Sequence, residues 1–129
     1  MAIQTVNPFT NEVIRSFDEM NDESVDMFIA QSVKTFNSWK QTSYKYRAVI
    51  LHKVAAFMSD KKEHLAKIIS LEMGKLIVQT EGEILLSADI FDSYSTNAET
   101  FLADKHPKPK YGDAYVRCSR IGAIFGVEP

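Results

Sequence analysis

The sequence predicts an α/β fold, of which these 129 residues form a mostly helical part. Three observations carry this. Apolar residues recur at three- and four-residue steps from residue 25 to residue 102, the period of amphipathic helices. After Gly112 apolar and polar residues alternate, the period of a strand with one buried face. The last stretch, Ile121-Gly122-Ala123-Ile124-Phe125-Gly126-Val127-Glu128-Pro129, is a nearly continuous apolar run, as in a parallel strand covered on both sides. The expected order is a short β-hairpin, about four helices, an extended strand, and the first strand of a parallel sheet.

The hairpin is read from two β-prone runs, residues 3–6 and 13–17, around the turn formers Asn7-Pro8-Phe9-Thr10-Asn11. Asn21 is then a natural N-cap, with Asp22 and Glu23 in the positive first turn and Met20 and Val25 spaced for a hydrophobic staple. Val25, Phe28, Ile29, Val33, Phe36 and Trp39 make one apolar stripe, with Trp39 expected in the core. Thr42 or Ser43 should cap the next helix, whose apolar side is read as Tyr46, Val49, Ile50, Val54 and Phe57. Asp60 is the expected cap of a third helix bearing Leu65, Ile68, Ile69 and Met73.

Gly74 stands where that third pattern ends. A residue able to take positive φ lets a helix stop without a Cβ clash, and Lys75 is placed to meet the freed carbonyls. The longest pattern follows over residues 76–103, with Ile77, Ile84, Leu85, Ala88, Phe91, Ala98, Phe101 and Leu102 on a broad apolar side. Its length, roughly 40 Å at 1.5 Å per residue, exceeds what an isolated small domain needs. Glu81 and Glu83 lie two apart, about 200° around a helix, so they cannot share a site and should face solvent or favour the helix dipole. His106-Pro107-Lys108-Pro109-Lys110 then reads as an extended, solvated connector.

Composition excludes several functions. Fifteen Lys and Arg against seventeen Asp and Glu give a net charge of −2, without the positive field that nucleic acid requires. No apolar run approaches the roughly 20 residues that span a bilayer, and residues 1–5 lack the features of a signal peptide, so no membrane role and a cytoplasmic location are expected. Cys118 is the single cysteine, so it has no intramolecular disulfide partner and no second thiol for a zinc site. It should face inward from its strand, and a catalytic thiol would need a base or cationic helix end beside it. His52 and His64 have no second His or Cys at ligand spacing on their own helix faces, and read as surface or partly packed residues.

Taken in order, Asn7-Pro8, Glu12-Val13-Ile14, Trp39 with Arg47, Glu72-Met73-Gly74-Lys75 with Glu81 and Glu83, Ile121-Gly122, and Gly126-Val127-Glu128-Pro129 resemble the N-terminal quarter of the aldehyde dehydrogenase family. Bacterial succinate-semialdehyde dehydrogenases are the members they most resemble. The resemblance implies a Rossmann-like fold of which residues 1–129 are an incomplete part of the cofactor-binding domain, with residues 113–120 as an oligomerisation-type strand within it. It also implies a homo-oligomer that oxidises an aldehyde, passing hydride to NAD or NADP through a cysteine thiohemiacetal whose thioester is hydrolysed with help from a glutamate.

In the family, a proline like Pro129 is followed at once by the Trp-Asn pair that holds the oxyanion, and the dinucleotide glycines, the glutamate and the cysteine come later. Cys118 does not match that nucleophile. No catalytic residue and no metal ligand is therefore carried over, and the fragment is expected to be inactive alone. Val127, Glu128 and Pro129 map to a strand end that lines the cofactor crevice, as ligands bind at the carboxyl ends of parallel strands. The competing expectation is a helical interaction module that binds a protein partner or a full-length relative, with the last strand added to its sheet.

Overall fold

The computed structural model describes residues 3–108 and 111–127. Its elements run β1 (Ile3–Val6), β2 (Val13–Phe17), α1 (Asp22–Trp39), α2 (Tyr44–Asp60), α3 (Lys62–Met73) and α4 (Ile77–Phe101). The hairpin and the helices thus fall where the sequence places them. In the hairpin Ile3 pairs with Phe17 and Thr5 with Arg15, and a bulge then sets Val6 opposite Val13. Its loop is tied by Asn7, whose backbone bonds Glu12 and Asn11 and whose Oδ1 accepts from the Phe9 N–H at 2.9 Å.

Helix α1 starts as expected, with Asn21 Oδ1 accepting from the Ser24 N–H at 2.8 Å. Met20 and Val25 both stay exposed, so they do not seal a staple. Trp39 is not in a core. It is 39% exposed, edge-on to Tyr46 with centroids 6.2 Å apart and beneath the Arg47 guanidinium at 5.6 Å. The cause is general to this helix: no residue of α1 is buried, because no described element covers its stripe.

Helix α2 is capped by Ser43, whose side chain accepts from the Tyr46 N–H at 3.1 Å. Its packed side agrees with the expected one only in part. Ala55 is buried, and Leu51 and Met58 are half-buried beside the expected Ile50 and Val54, whereas Tyr46, Val49 and Phe57 are exposed. Both sides of α2 are apolar, and the smaller residues lie against α4 because they let two backbones approach. Asp60 does not cap α3: it is the last residue of α2, separated from α3 by Lys61 alone, and its carboxylate takes Lys61 Nζ at 2.8 Å.

Helix α3 ends at Gly74, with φ 68° and its N–H bonded to Ser70 O at 3.0 Å, the left-handed stop that the sequence predicts. Lys75 turns away from the α3 carbonyls and binds Glu83 at 2.9 and 3.0 Å, since a full carboxylate outweighs partial charges. Helix α4 is the spine, packed chiefly on α2 and then on α3. It buries Thr80, Ile84, Ala88 and Ser95, opposite Ala55 of α2 and Ala66 of α3. The Thr80 hydroxyl, fully enclosed, donates to Ile77 O at 2.8 Å and meets Ser70 Oγ at 3.1 Å, so the largest wholly buried side chain among the described residues is satisfied.

Beyond α4 the chain turns back on itself. The Lys105 and Val116 backbones exchange two hydrogen bonds, at 3.0 and 2.8 Å, and Arg117 grips Asp104 through contacts of 2.6 to 3.1 Å. That isolated bridge is the whole of the ladder here: among the described residues, 113–120 form no further strand pairing. Cys118 is accordingly exposed rather than inward-facing, because a pleated face is buried only when a second layer covers it. Residues 121–127 carry no secondary structure and are exposed, Ile121 at 91%. Pro109 and Lys110 of the expected connector lie outside the described residues.

Gly74→Ala should destabilise the chain by about 1–3 kcal/mol in urea unfolding, from the left-handed penalty plus overpacking. An added Cβ would stand 2.9 Å from Pro8 Cγ, so the loss should shrink in a Pro8→Ala background. Equal losses in both backgrounds would remove the hairpin contact from this account.

The Asp104 clamp carries a pH prediction. The Arg117 hydrogen bond, aided by the charges of Arg117 and His106 and opposed by slight burial, holds the Asp104 carboxyl below the usual range. A carboxyl depressed on folding contributes stability above its unfolded pKa of about 3.9 and loses it as pH falls through the folded value. The protection of the Val116 amide against hydrogen exchange, taken relative to the intrinsic exchange rate at each pH, should therefore be high near neutrality and fall in acid, and Asp104→Asn should abolish that dependence.

Candidate functional site

The residues expected at the cofactor edge come last in the chain. Val127 is 79% exposed and has no strand beside it, and Glu128 and Pro129 lie outside the described residues. A dinucleotide crevice needs at least two parallel strands and a helix N-terminus between them. The described residues supply neither neighbour, so they do not by themselves fit the cofactor.

The residues singled out for acid-base chemistry are dispersed. Glu81 reaches Lys62 at 3.5 Å and Glu83 binds Lys75, so each serves a different cation and the two share no site. Glu83 has the expected solvent exposure and Glu81 is half-buried, and both staple the start of α4. His64 is exposed. Among the described residues no three His, Cys, Asp or Glu side chains are placed to hold a metal.

His52 has partners that its own helix does not reveal. Its Nδ1 lies 2.6 Å from Asp92 Oδ1, and Ser95 Oγ lies 3.1 Å from both ring nitrogens. The three residue types invite comparison with a nucleophilic triad, and the geometry rejects it. In a triad serine and carboxylate use opposite nitrogens of the ring. An oxygen equidistant from both nitrogens lies on the lone-pair line of neither, and Ser95 already donates to Asp92 O at 2.7 Å. The cluster ties α2 to α4.

The densest polar arrangement sits between the end of α1, the start of α2 and the returning arm. Arg47 donates to Trp39 O, Thr42 O and Thr42 Oγ1 at 3.2, 2.7 and 2.8 Å, locking the α1–α2 corner. Its guanidinium also lies over the Tyr44 ring at 5.7 Å, and Arg120 covers the same ring at 5.3 Å. Burial, then the neighbouring Arg120 charge, lower the Arg47 pKa, while Tyr44 acts in the opposite sense. A cavity of about 570 Å³ opens beside Tyr44, lined also by Lys40, Glu99, Asp104 and Cys118. Sequence reasoning missed this cluster because Tyr44 and Arg120 are 76 positions apart. The two arginines so close together in Arg117-Cys118-Ser119-Arg120 were the available signal.

The largest feature is apolar. The chain exposes 10975 Å². A compact protein of its 14.6 kDa exposes only about 6,900 Å². Much of the excess lies on Phe28, Ile29 and Val33 of α1, on Val78, Leu86 and Ile90 of α4, and on Ile121, Ile124 and Phe125. Open apolar area on this scale marks surface suited to contact with another protein, a membrane or a ligand.

The profile of the aldehyde dehydrogenase family matches residues 1–129. A succinate-semialdehyde dehydrogenase [NADP(+)] of Deinococcus radiodurans is 32% identical over 125 residues, which are 97% of this chain and 26% of that protein. Among solved structures, succinic semialdehyde dehydrogenase from Streptococcus pyogenes, in complex with NADP+, superposes with a TM-score of 0.82 at 33% identity, over 87% of this chain and 25% of that one. An NAD-dependent aldehyde dehydrogenase from Sinorhizobium meliloti gives a TM-score of 0.74 at 31% identity, over 83% of this chain and 22% of that one. The chain thus spans about a quarter of the length of these relatives. With the whole sequence matched and 87% of the chain superposed on a solved relative, the chain belongs to the aldehyde dehydrogenase family.

Proposed function

We propose that the chain is part of an NAD(P)-dependent aldehyde dehydrogenase that oxidises succinate semialdehyde, or a related small aldehyde, to the carboxylic acid. The observation that carries this reading is the family match over all 129 residues, joined to the succinate-semialdehyde names of relatives above 30% identity. Hydride passes to NAD or NADP, since similar relatives are named for each. In this reading residues 1–129 belong to the cofactor-binding domain, residues 113–120 form an oligomerisation strand, and Val127, Glu128 and Pro129 border the cofactor. The parent enzyme is a cytoplasmic homo-oligomer. The nucleophilic cysteine, the glutamate and the Trp-Asn pair are not among these residues, so the chain alone is inactive.

The test is the intact mass of the native product, detected through a tag at Met1, together with its activity. A product several times heavier than 14.6 kDa that reduces NAD or NADP with succinate semialdehyde is expected. The 129-residue chain alone should give no nicotinamide reduction, and replacing Cys118 by Ser in the heavier product should leave turnover unchanged. Turnover by the short chain would overturn the reading.

The excess apolar surface favours a second reading, in which a product of this length docks on a full-length relative. Its outcome is co-purification of the 14.6 kDa chain with an intact dehydrogenase. A soluble monomer with a cooperative unfolding transition and no such partner would count against it.

A further inference from the structure

The cavity beside Tyr44 has a charge pattern that neither the fold nor the proposed oxidation uses. Asp104 is taken up by Arg117 in a two-pronged pair, so it offers little to any other cation. Among the described residues Lys40 Nζ donates to the neutral Asn37 Oδ1 alone, at 2.7 Å, and lies over the Phe36 ring. Arg120 lies over Tyr44 and has no carboxylate partner among the described residues. Arg47, on the same ring, spends its donors on backbone and hydroxyl oxygens, which leave its charge uncancelled. Glu99 is the one carboxylate on the wall not already held by a cation.

Two cations, Arg47 and Arg120, thus share the Tyr44 ring, and Lys40, over Phe36, lines the same cavity as Arg120, with a single free carboxylate on the wall. Like charges gathered in this way cost free energy, and the cost is recovered when an anion enters between them. The cavity, about 570 Å³, falls within the range of small-molecule sites. Arginine presents a planar fork of donors that matches the oxygens of a carboxylate or a phosphate, and lysine adds a point charge.

We propose that this cavity binds a small oxyanion, a carboxylate or a phosphate, between Arg120 and Lys40, with the Gln41 amide at the wall as a further donor. The bound anion draws Arg120 from stacking on Tyr44 into ion pairing, and so fixes the returning arm against the α1–α2 corner. Asp104 and Arg117 hold the arm at a second point, so the anion orders the chain between residues 117 and 120 and the exposed run after it.

The test uses the full 129-residue chain, with inorganic phosphate and succinate titrated separately at constant ionic strength. The side-chain Nε–H resonances of Arg120 and Arg47 should shift along a saturating curve, while that of Arg15, over Phe17 in the hairpin, should not move. Saturation by phosphate alone assigns the site to phosphates, and saturation by succinate alone assigns it to carboxylates. Arg120→Gln and Lys40→Met should each weaken binding by about tenfold or more, the effect of losing one charged donor. Arg120 is exposed and Lys40 half-buried, and a circular dichroism spectrum like that of the parent establishes that each variant folds. A linear, unsaturated response equal to that of chloride would overturn the proposal, as would parental affinity in both folded variants. These outcomes do not depend on dehydrogenase activity, so the site and the proposed oxidation fail separately.

Discussion

Gly74 turns the chain from α3 into α4 with a left-handed backbone, and the ring of Pro8 occupies the space where a side chain would stand. One residue thus ends a helix, sets the direction of the long one and seats the hairpin turn. Its neighbours depend on that geometry. Lys75 reaches Glu83 and Lys62 reaches Glu81 only because α3 and α4 leave the turn at a fixed angle, and the Ser70 and Thr80 hydroxyls meet in the same wedge. The substitution of any residue with a Cβ strains both the backbone and the hairpin contact at once.

From that turn α4 runs along α2 on a seam of small residues. Ala55, Ala66 and Ala88 let the backbones approach, and hydroxyls or a histidine close the ends of the seam through Thr80, Ser95 and His52. Alanine buries little apolar area, so this seam supplies close packing and little hydrophobic free energy. The large side chains, the usual source of that energy, point away from it. Phe28, Phe57, Leu86 and Ile124 are all exposed. A protein with its largest apolar residues outside is one whose stability is shared with whatever covers them. Relatives about four times as long are consistent with that cover being polypeptide.

The same incompleteness separates what was readable at the site. Local signals worked where the chemistry is local: Asn21 and Ser43 cap their helices through their own next turn, and Glu81 and Glu83 were rightly kept apart by helical angle alone. Longer-range features were not readable. Asp92 lies 40 positions after His52, and Arg120 lies 76 after Tyr44, so no periodicity joins them. The expectation for Trp39 failed for a related reason: an apolar stripe states that a face can be buried, and burial itself requires a partner.

Sequence by itself determined the hairpin, the helices and most of their ends, the stop at Gly74 and the family, because turn chemistry, capping and the 3.6-residue period act within a few residues of one another; the cap expected at Asp60 was the exception. Only the tertiary structure decided which side of α2 faces α4. Both sides are apolar, and the choice falls to the small residues that allow two helices to touch. It likewise decided that residues 113–127 carry strand-like sequence without strand pairing. Alternation encodes the faces of a strand, whereas a strand exists only when a neighbour accepts its backbone hydrogen bonds, and here the neighbour extends no further than Lys105.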